Sequence, residues 1–304
     1  SNKAYFTFGS HYTVFVYKLS NFQLCESLCQ GESKVSQVRL SNKNLDQLAI
    51  LYENGNLCLF DLLERKVSKE IQLNKDKKSL SFGSMDFSPD GELLRIFLRD
   101  SLSFLELSIS SGNIRTSTIP TFETTTIYRQ HPDLSDITLV CTGKPSVYVF
   151  STEKLTKNSK TFGDSISFLS FDPLNTMNCL IVGKNPTWTV FSFLPDFNII
   201  STSGNNSITA SSGDWIPALP GQIVTGSDEH GILHIWTISD GQVTDSIQLE
   251  DAPVNSLQTI SDKNVIVTFQ SGVFGIVDVT KRSYVFKLNN AHKLTIFSCN
   301  FLPT

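Results

Sequence analysis

Asp228, Glu229 and His230 stand in a row, and His234 follows four residues later. Carboxylate and imidazole together can shuttle protons or hold a metal ion. On an extended strand, however, four residues span about 13 Å, too far for His230 and His234 to share one ion. The cluster therefore reads as a solvated turn between two strands, with His230 available to a partner rather than to a metal. His11, His131 and His292 fall at turn or strand-entry positions and form no metal-binding or acid–base motif in sequence. The chain contains no Gly-x-Ser-x-Gly elbow, no His-Glu-x-x-His, no P-loop and no Gly-x-Gly-x-x-Gly fingerprint. No catalytic residue, cofactor, metal or small-molecule substrate is expected.

Binding chemistry is better represented. Trp215 and Asp214 lie in the loop-like stretch Ser211-Ser212-Gly213-Asp214-Trp215-Ile216-Pro217. Tryptophan dominates the energetic centres of protein interfaces, so Trp215 is a candidate anchor; the competing reading packs it into a first strand. Trp188 alternates with its neighbours in the manner of a buried strand residue. Arg65, Lys66, Lys69, Lys75, Lys77 and Lys78 fall within 14 residues. They could meet an acidic surface, or they could be the lysines that protect an exposed sheet edge from pairing with other chains.

The elements that must position these groups repeat. Apolar strands end on Tyr17, Phe60, Leu105, Phe150, Phe191, Trp236 and Val277, at intervals of 43, 45, 45, 41, 45 and 41 residues. Proline-bearing turns keep the same phase at Pro89, Pro132, Pro173, Pro217 and Pro303. The best formed is Phe87-Ser88-Pro89-Asp90-Gly91, where proline presets φ and glycine supplies the positive φ that closes the turn. A period near 43 means one supersecondary unit copied along the chain.

One unit reads as four strands: Ser79 to Ser88, then residues 92–98, 101–107 and 113–119. Short turns join them into a small antiparallel sheet rich in Val, Ile, Phe, Leu and Thr. Inner strands such as Val147-Tyr148-Val149-Phe150 are continuously apolar, which implies burial on both faces. The outer strand is polar, as in Lys66-Val67-Ser68-Lys69-Glu70-Ile71. Seven such sheets arranged radially make a seven-bladed β-propeller over residues 1–304. The first blade is assembled from residues 4–30 and the tail 292–303, and the other six lie within 33–288. The tail thereby closes the ring. We expect the chain to be part of a longer protein, and its first residues show no signal peptide.

Composition narrows the partners. A net charge of −4 lacks the basic stripe of a general nucleic-acid binder. No apolar run approaches the ~20 residues of a membrane-spanning helix. The six cysteines are scattered without Cys-x-x-Cys pairs, which suits buried free thiols in a reducing compartment, cytoplasm or nucleus.

The repeat resembles the WD-repeat propeller family. Gly221 to Ser227 followed by Gly231-Ile232-Leu233-His234-Ile235-Trp236 is similar to that family's second and third strands. Phe60-Asp61, Leu105-Glu106 and Val277-Asp278 resemble its Trp-Asp pair, and Ala291-His292 its Gly-His pair. The family's tetrad of Asp, His, Ser/Thr and Trp is complete in no unit. The resemblance implies a non-catalytic interaction scaffold in a multi-subunit assembly. Residues 212–227 are also similar to a unit of the WD-repeat proteins of cilia and flagella. That implies an axonemal or cytoskeletal complex, with tubulin or dynein-associated subunits as partners. The competing expectations are a scaffold in ribosome biogenesis, a ubiquitin ligase or a coat or pore assembly, and, in a different class, a propeller hydrolase with its site at the channel mouth.

Overall fold

The computed structural model describes residues 5–10, 12–18, 21, 23–29, 33–41, 43–44, 46–73, 80–99, 103–118, 125–151, 157–204, 207–289 and 298–301. Its strands are β1 Tyr5–Ser10, β2 Thr13–Lys18, β3 Leu24–Cys29, β4 Val35–Leu40, β5 Gln47–Tyr52, β6 Asn56–Asp61 and β7 Lys66–Gln72. There follow β8 Phe82–Phe87, β9 Leu93–Leu98, β10 Ser103–Ser108, β11 Ile114–Thr118, β12 Thr125–Gln130, β13 Ile137–Thr142, β14 Ser146–Ser151 and β15 Lys157–Thr161. The remainder are β16 Ile166–Phe171, β17 Asn178–Gly183, β18 Trp188–Ser192, β19 Asn198–Thr202, β20 Ala210–Trp215, β21 Gln222–Ser227 and β22 Gly231–Thr237. The last are β23 Val243–Glu250, β24 Val254–Thr259, β25 Asn264–Phe269, β26 Phe274–Asp278, β27 Ser283–Leu288 and β28 Ser298–Phe301. The chain divides into two compact units, one of Ser1–Val140, Phe150–Leu155 and Phe297–Thr304, the other of Cys141–Val149 and Thr156–Ile296.

In the first unit β28, β1, β2 and β3 form one four-stranded sheet, β4 to β7 a second and β8 to β11 a third. The tail strand pairs antiparallel with β1, setting Phe6 opposite Phe301 and Gly9 opposite Ser298. In the second unit the sheets are β16 to β19, β20 to β23 and β24 to β27, all antiparallel meanders. The first strand of each sheet lies innermost: β28, β4, β8 and β12 are neighbours in one unit, and β16, β20 and β24 in the other.

The inner strands are apolar throughout because each buries both faces. On β5, Leu48, Ile50 and Tyr52 pack with Val14 and Val16 of the sheet on one side and with Val38 of their own sheet. Ala49 and Leu51, pointing the other way, pack with Met85, Leu94 and Ile96. The two-residue period of the strand thus feeds two cores at once. Each fully buried aliphatic side chain contributes roughly 1.5–3 kcal/mol. The second unit repeats the arrangement, with Ile223 and Trp236 in one core and Val224, Leu233 and Ile235 in the next.

The Pro-Asp-Gly turn forms as its residues dictate. Gly91 has φ +72° and donates to the Ser88 carbonyl at 2.9 Å. The Ser88 hydroxyl donates to Asp90 at 2.5 Å and, with the Glu92 N–H, holds the Asp90 carboxyl below its usual range. His131 does comparable work in the looser copy: its Nδ1 accepts from the N–H groups of Asp133 and Leu134, both at 3.0 Å.

The two readings of the stretch from Ser211 are decided here: it is β20, an innermost strand with Trp215 as its last residue, as the competing reading had it, and not a loop. Its small residues answer to crowding: a Cβ on Gly213 would meet Val182 Cγ2 at 2.9 Å and the Val224 carbonyl at 3.0 Å. Most of the expected tail strand, residues 292–297 and 302–303, lies outside the described residues.

The outer strands share a feature that the repeat did not announce. A register shift places one extra residue opposite a single partner at the same point in five of them: Cys25, Ser68, Ile200, Thr244 and Val285. Such a bulge bends the edge strand and re-aims the extra side chain. Ser68 and Thr244 donate back to the Leu59 and Ile235 carbonyls, at 2.9 and 3.2 Å.

Candidate protein-binding surface

Trp215 is 6% exposed and packs against Val182, Val190 and Ile223. Asp214 accepts the Thr259 N–H at 2.8 Å through Oδ2 and the Trp215 N–H at 3.0 Å through Oδ1. Asp214 therefore belongs to the seam between β20 and β24, and the Trp215 ring to the core shared with β17 and β18. His230 is exposed on the turn after β21, where its N–H donates to the Ser227 hydroxyl at 3.2 Å. His234 sits on β22 with Nδ1 2.9 Å from Ser246 Oγ on β23. Among the described residues no three His, Cys, Asp or Glu side chains form a metal-holding group.

The basic run is divided. Arg65 pairs with Glu26 at 3.7 Å and Lys66 with Glu64 at 2.6 Å, both on the surface. The Glu64 contact raises the Lys66 pKa. Exposed pairs of this kind are worth little to stability. Lys69 reaches from β7 to the turn after β10, donating to the carbonyls of Ile109 at 2.7 Å and Ser110 at 3.3 Å. Lys75, Lys77 and Lys78 lie outside the described residues.

Other polar side chains are committed to ties within and between sheets. Arg95 is buried, bonded to Glu106 at 2.9 Å, to Gln130 Oε1 and to the Ser135 carbonyl at 2.7 Å. Arg39 pairs with Asp86 at 3.0 Å. Trp236 Nε1 donates to Thr225 Oγ1 at 2.8 Å, and Asp228 accepts from Thr209. Burial pushes the Cys179 thiol well above its usual range and Cys58 up to about 11, so neither is poised as a nucleophile.

What the sequence did not single out is a cleft in the second unit enclosing about 490 Å³ of empty space, part of it open to solvent. Pro173 and Leu174 from the turn after β16, Ile200 on β19 and Pro217 after β20 line it. Leu174 is 67% and Ile200 51% exposed. The signal was present: Asn198-Ile199-Ile200-Ser201-Thr202 is an outer strand with no charged residue, where β7 carries Lys66, Lys69 and Glu70. Among the described residues no helix is long and apolar enough to cross a membrane.

No protein-family model matches the chain. Among solved structures it is similar to the crystallised β-propeller domain of Cps50 (Swd1) from Myceliophteria thermophila, at 11% identity and a TM-score of 0.74, over 87% of this chain and 90% of that one. With the sheets described above, that likeness makes the fold an all-β, WD-repeat-like β-propeller with four-stranded antiparallel blades.

Proposed function

We propose that this chain is a non-catalytic scaffold that holds other proteins in a multi-subunit assembly, built on a seven-bladed ring. The period near 43 supports seven blades, and the pairing of β28 with β1 supports closure of the ring by the tail strand. The observation that carries the functional reading is where the reactive side chains go. Arg39, Asp86, Arg95, Glu106, Asp214 and Trp236 all serve as ties between strands, leaving an ordered framework with exposed turns. Partners gain affinity when the surface they meet needs no ordering. Of the sequence candidates, Arg65, Lys66 and His230 remain exposed to a partner.

The sub-reading to test first is a ciliary or cytoskeletal complex in the cytoplasm, with tubulin or dynein-associated subunits; it rests on the resemblance over residues 212–227. Ribosome biogenesis, ubiquitin ligation and coat or pore assembly are the competing scaffold roles. Chemical cross-linking in native extracts followed by affinity purification and mass spectrometry tests the proposal. Stoichiometric protein partners linked through the turns are expected. Recovery as a lone chain, or hydrolase activity in the purified protein, would overturn it.

A further inference from the structure

The outer strand β19 differs from the other edges of this molecule. It carries no charge, and its bulge between Val190 and Phe191 leaves Ile199 and Ile200 both exposed, at 46% and 51%. Where Ser68 and Thr244 turn a hydroxyl back to their own sheet, Ile200 turns an aliphatic side chain into the cleft beside Leu174. An uncharged edge strand is open to pairing with another chain. The surroundings are acidic. Asp172 lines the cleft, and its Oδ1 accepts only a local bond from the Leu174 N–H at 2.9 Å. Asp196 is exposed on the loop leading into β19. Asp240 is exposed on the turn after β22. That turn is tied to β19 by the Ser201 hydroxyl on the Ile238 carbonyl, and to Gly204 by the N–H of Gly204 on the Gly241 carbonyl. Among the described residues none of these three carboxylates is ion-paired.

We infer that the β19 edge and its cleft receive an extended segment of a partner protein that alternates aliphatic with basic residues. Main-chain pairing to β19 would supply affinity, an aliphatic side chain between Leu174 and Ile200 would supply register, and Lys or Arg would meet Asp172, Asp196 and Asp240. A second copy of this chain is disfavoured as the occupant, because it would bring the same carboxylates against themselves. The inference rests on the scaffold reading and names its surface.

Selection of a displayed library of random short peptides on the purified protein tests it, followed by fluorescence anisotropy of the enriched peptides at low and high salt. Enriched peptides should alternate aliphatic residues with Lys or Arg. Ile200→Lys, which gives β19 the charge its neighbours carry, and Leu174→Ser should each weaken binding about tenfold or more. Asp172→Asn with Asp240→Asn should flatten the salt dependence. Both apolar positions are more than half exposed, so an unchanged melting temperature is the accompanying control. Absence of enrichment, acidic consensus peptides, binding indifferent to Ile200→Lys, or self-association that Ile200→Lys abolishes would each overturn the inference. If native partners still cross-link to the Ile200→Lys protein, the cleft is wrong and the scaffold stands. If the wild type has no partners, the scaffold itself fails.

Discussion

The Asp214 carboxylate accepts the backbone N–H of Thr259 at 2.8 Å, 45 residues further along the chain, and the Thr259 hydroxyl donates to the Trp215 carbonyl at 2.6 Å. The same relationship recurs in the first unit, where Asp86 Oδ2 accepts from the Gln130 N–H at 3.5 Å. Both aspartates are the fifth residue of an innermost strand. An acidic side chain here replaces the ladder bond that innermost strands of adjacent sheets cannot make with each other. Asp214→Ala leaves the Thr259 N–H without its acceptor and should cost about 1–3 kcal/mol in urea unfolding. Asp214→Asn keeps an acceptor and should lose less.

Arg95 poses a sharper test. Its side chain is 3% exposed and its charge is balanced by Glu106, with Gln130 and the Ser135 carbonyl taking further donors. Removing one partner of a buried pair strands the other, so Glu106→Ala and Arg95→Ala should each destabilise by about 3–5 kcal/mol. The pair exchanged together, Arg95→Met with Glu106→Leu, should lose clearly less than the sum of the two alanine variants. Additive losses would mean that the two charges do not compensate each other.

These cases mark what the sequence could disclose. The strands around Pro89 were legible because turn chemistry and two-residue alternation are local: residues 92–98 and 113–119 were expected as strands, and β9 and β11 occupy 93–98 and 114–118. β20 was legible only as the competing reading of Trp215. Ala-Ser-Ser-Gly-Asp-Trp holds a single strand former, Trp215, and its glycine answers to crowding, since a Cβ on Gly213 would meet Val182 and the Val224 carbonyl. The partners of Arg95 lie up to 40 residues away, beyond any motif. The bulge that exposes Ile200 depends on the register between two strands, which composition does not specify.

Glycine at two turns separates backbone strain from crowding. Gly91 has φ +72°, and a Cβ there would stand 2.9 Å from Lys43 Cβ and 3.2 Å from Ser41 Oγ. Gly221 has φ +80° with nothing within 4 Å of the same position. Gly221→Ala should cost only the positive-φ penalty, about 1 kcal/mol. Gly91→Ala should cost more, because Lys43 must also move. Equal shifts in melting temperature would show that the contact yields freely.

Burial of His234 on β22, edge-on to Trp236 at 6.3 Å between ring centres, lowers its pKa from the ordinary 6.5. The unfolded chain then takes up a proton at higher pH than the folded one. Stability linked to this group is therefore fully present above about pH 7. It declines as pH falls through 6.5 towards the folded value and levels off below it. His234→Gln removes the titration while keeping a polar side chain near Ser246, so its unfolding free energy should fall less than wild type between neutral and mildly acidic pH. Parallel pH profiles for the two proteins would place the imidazole in the same environment folded and unfolded, contrary to its position on β22.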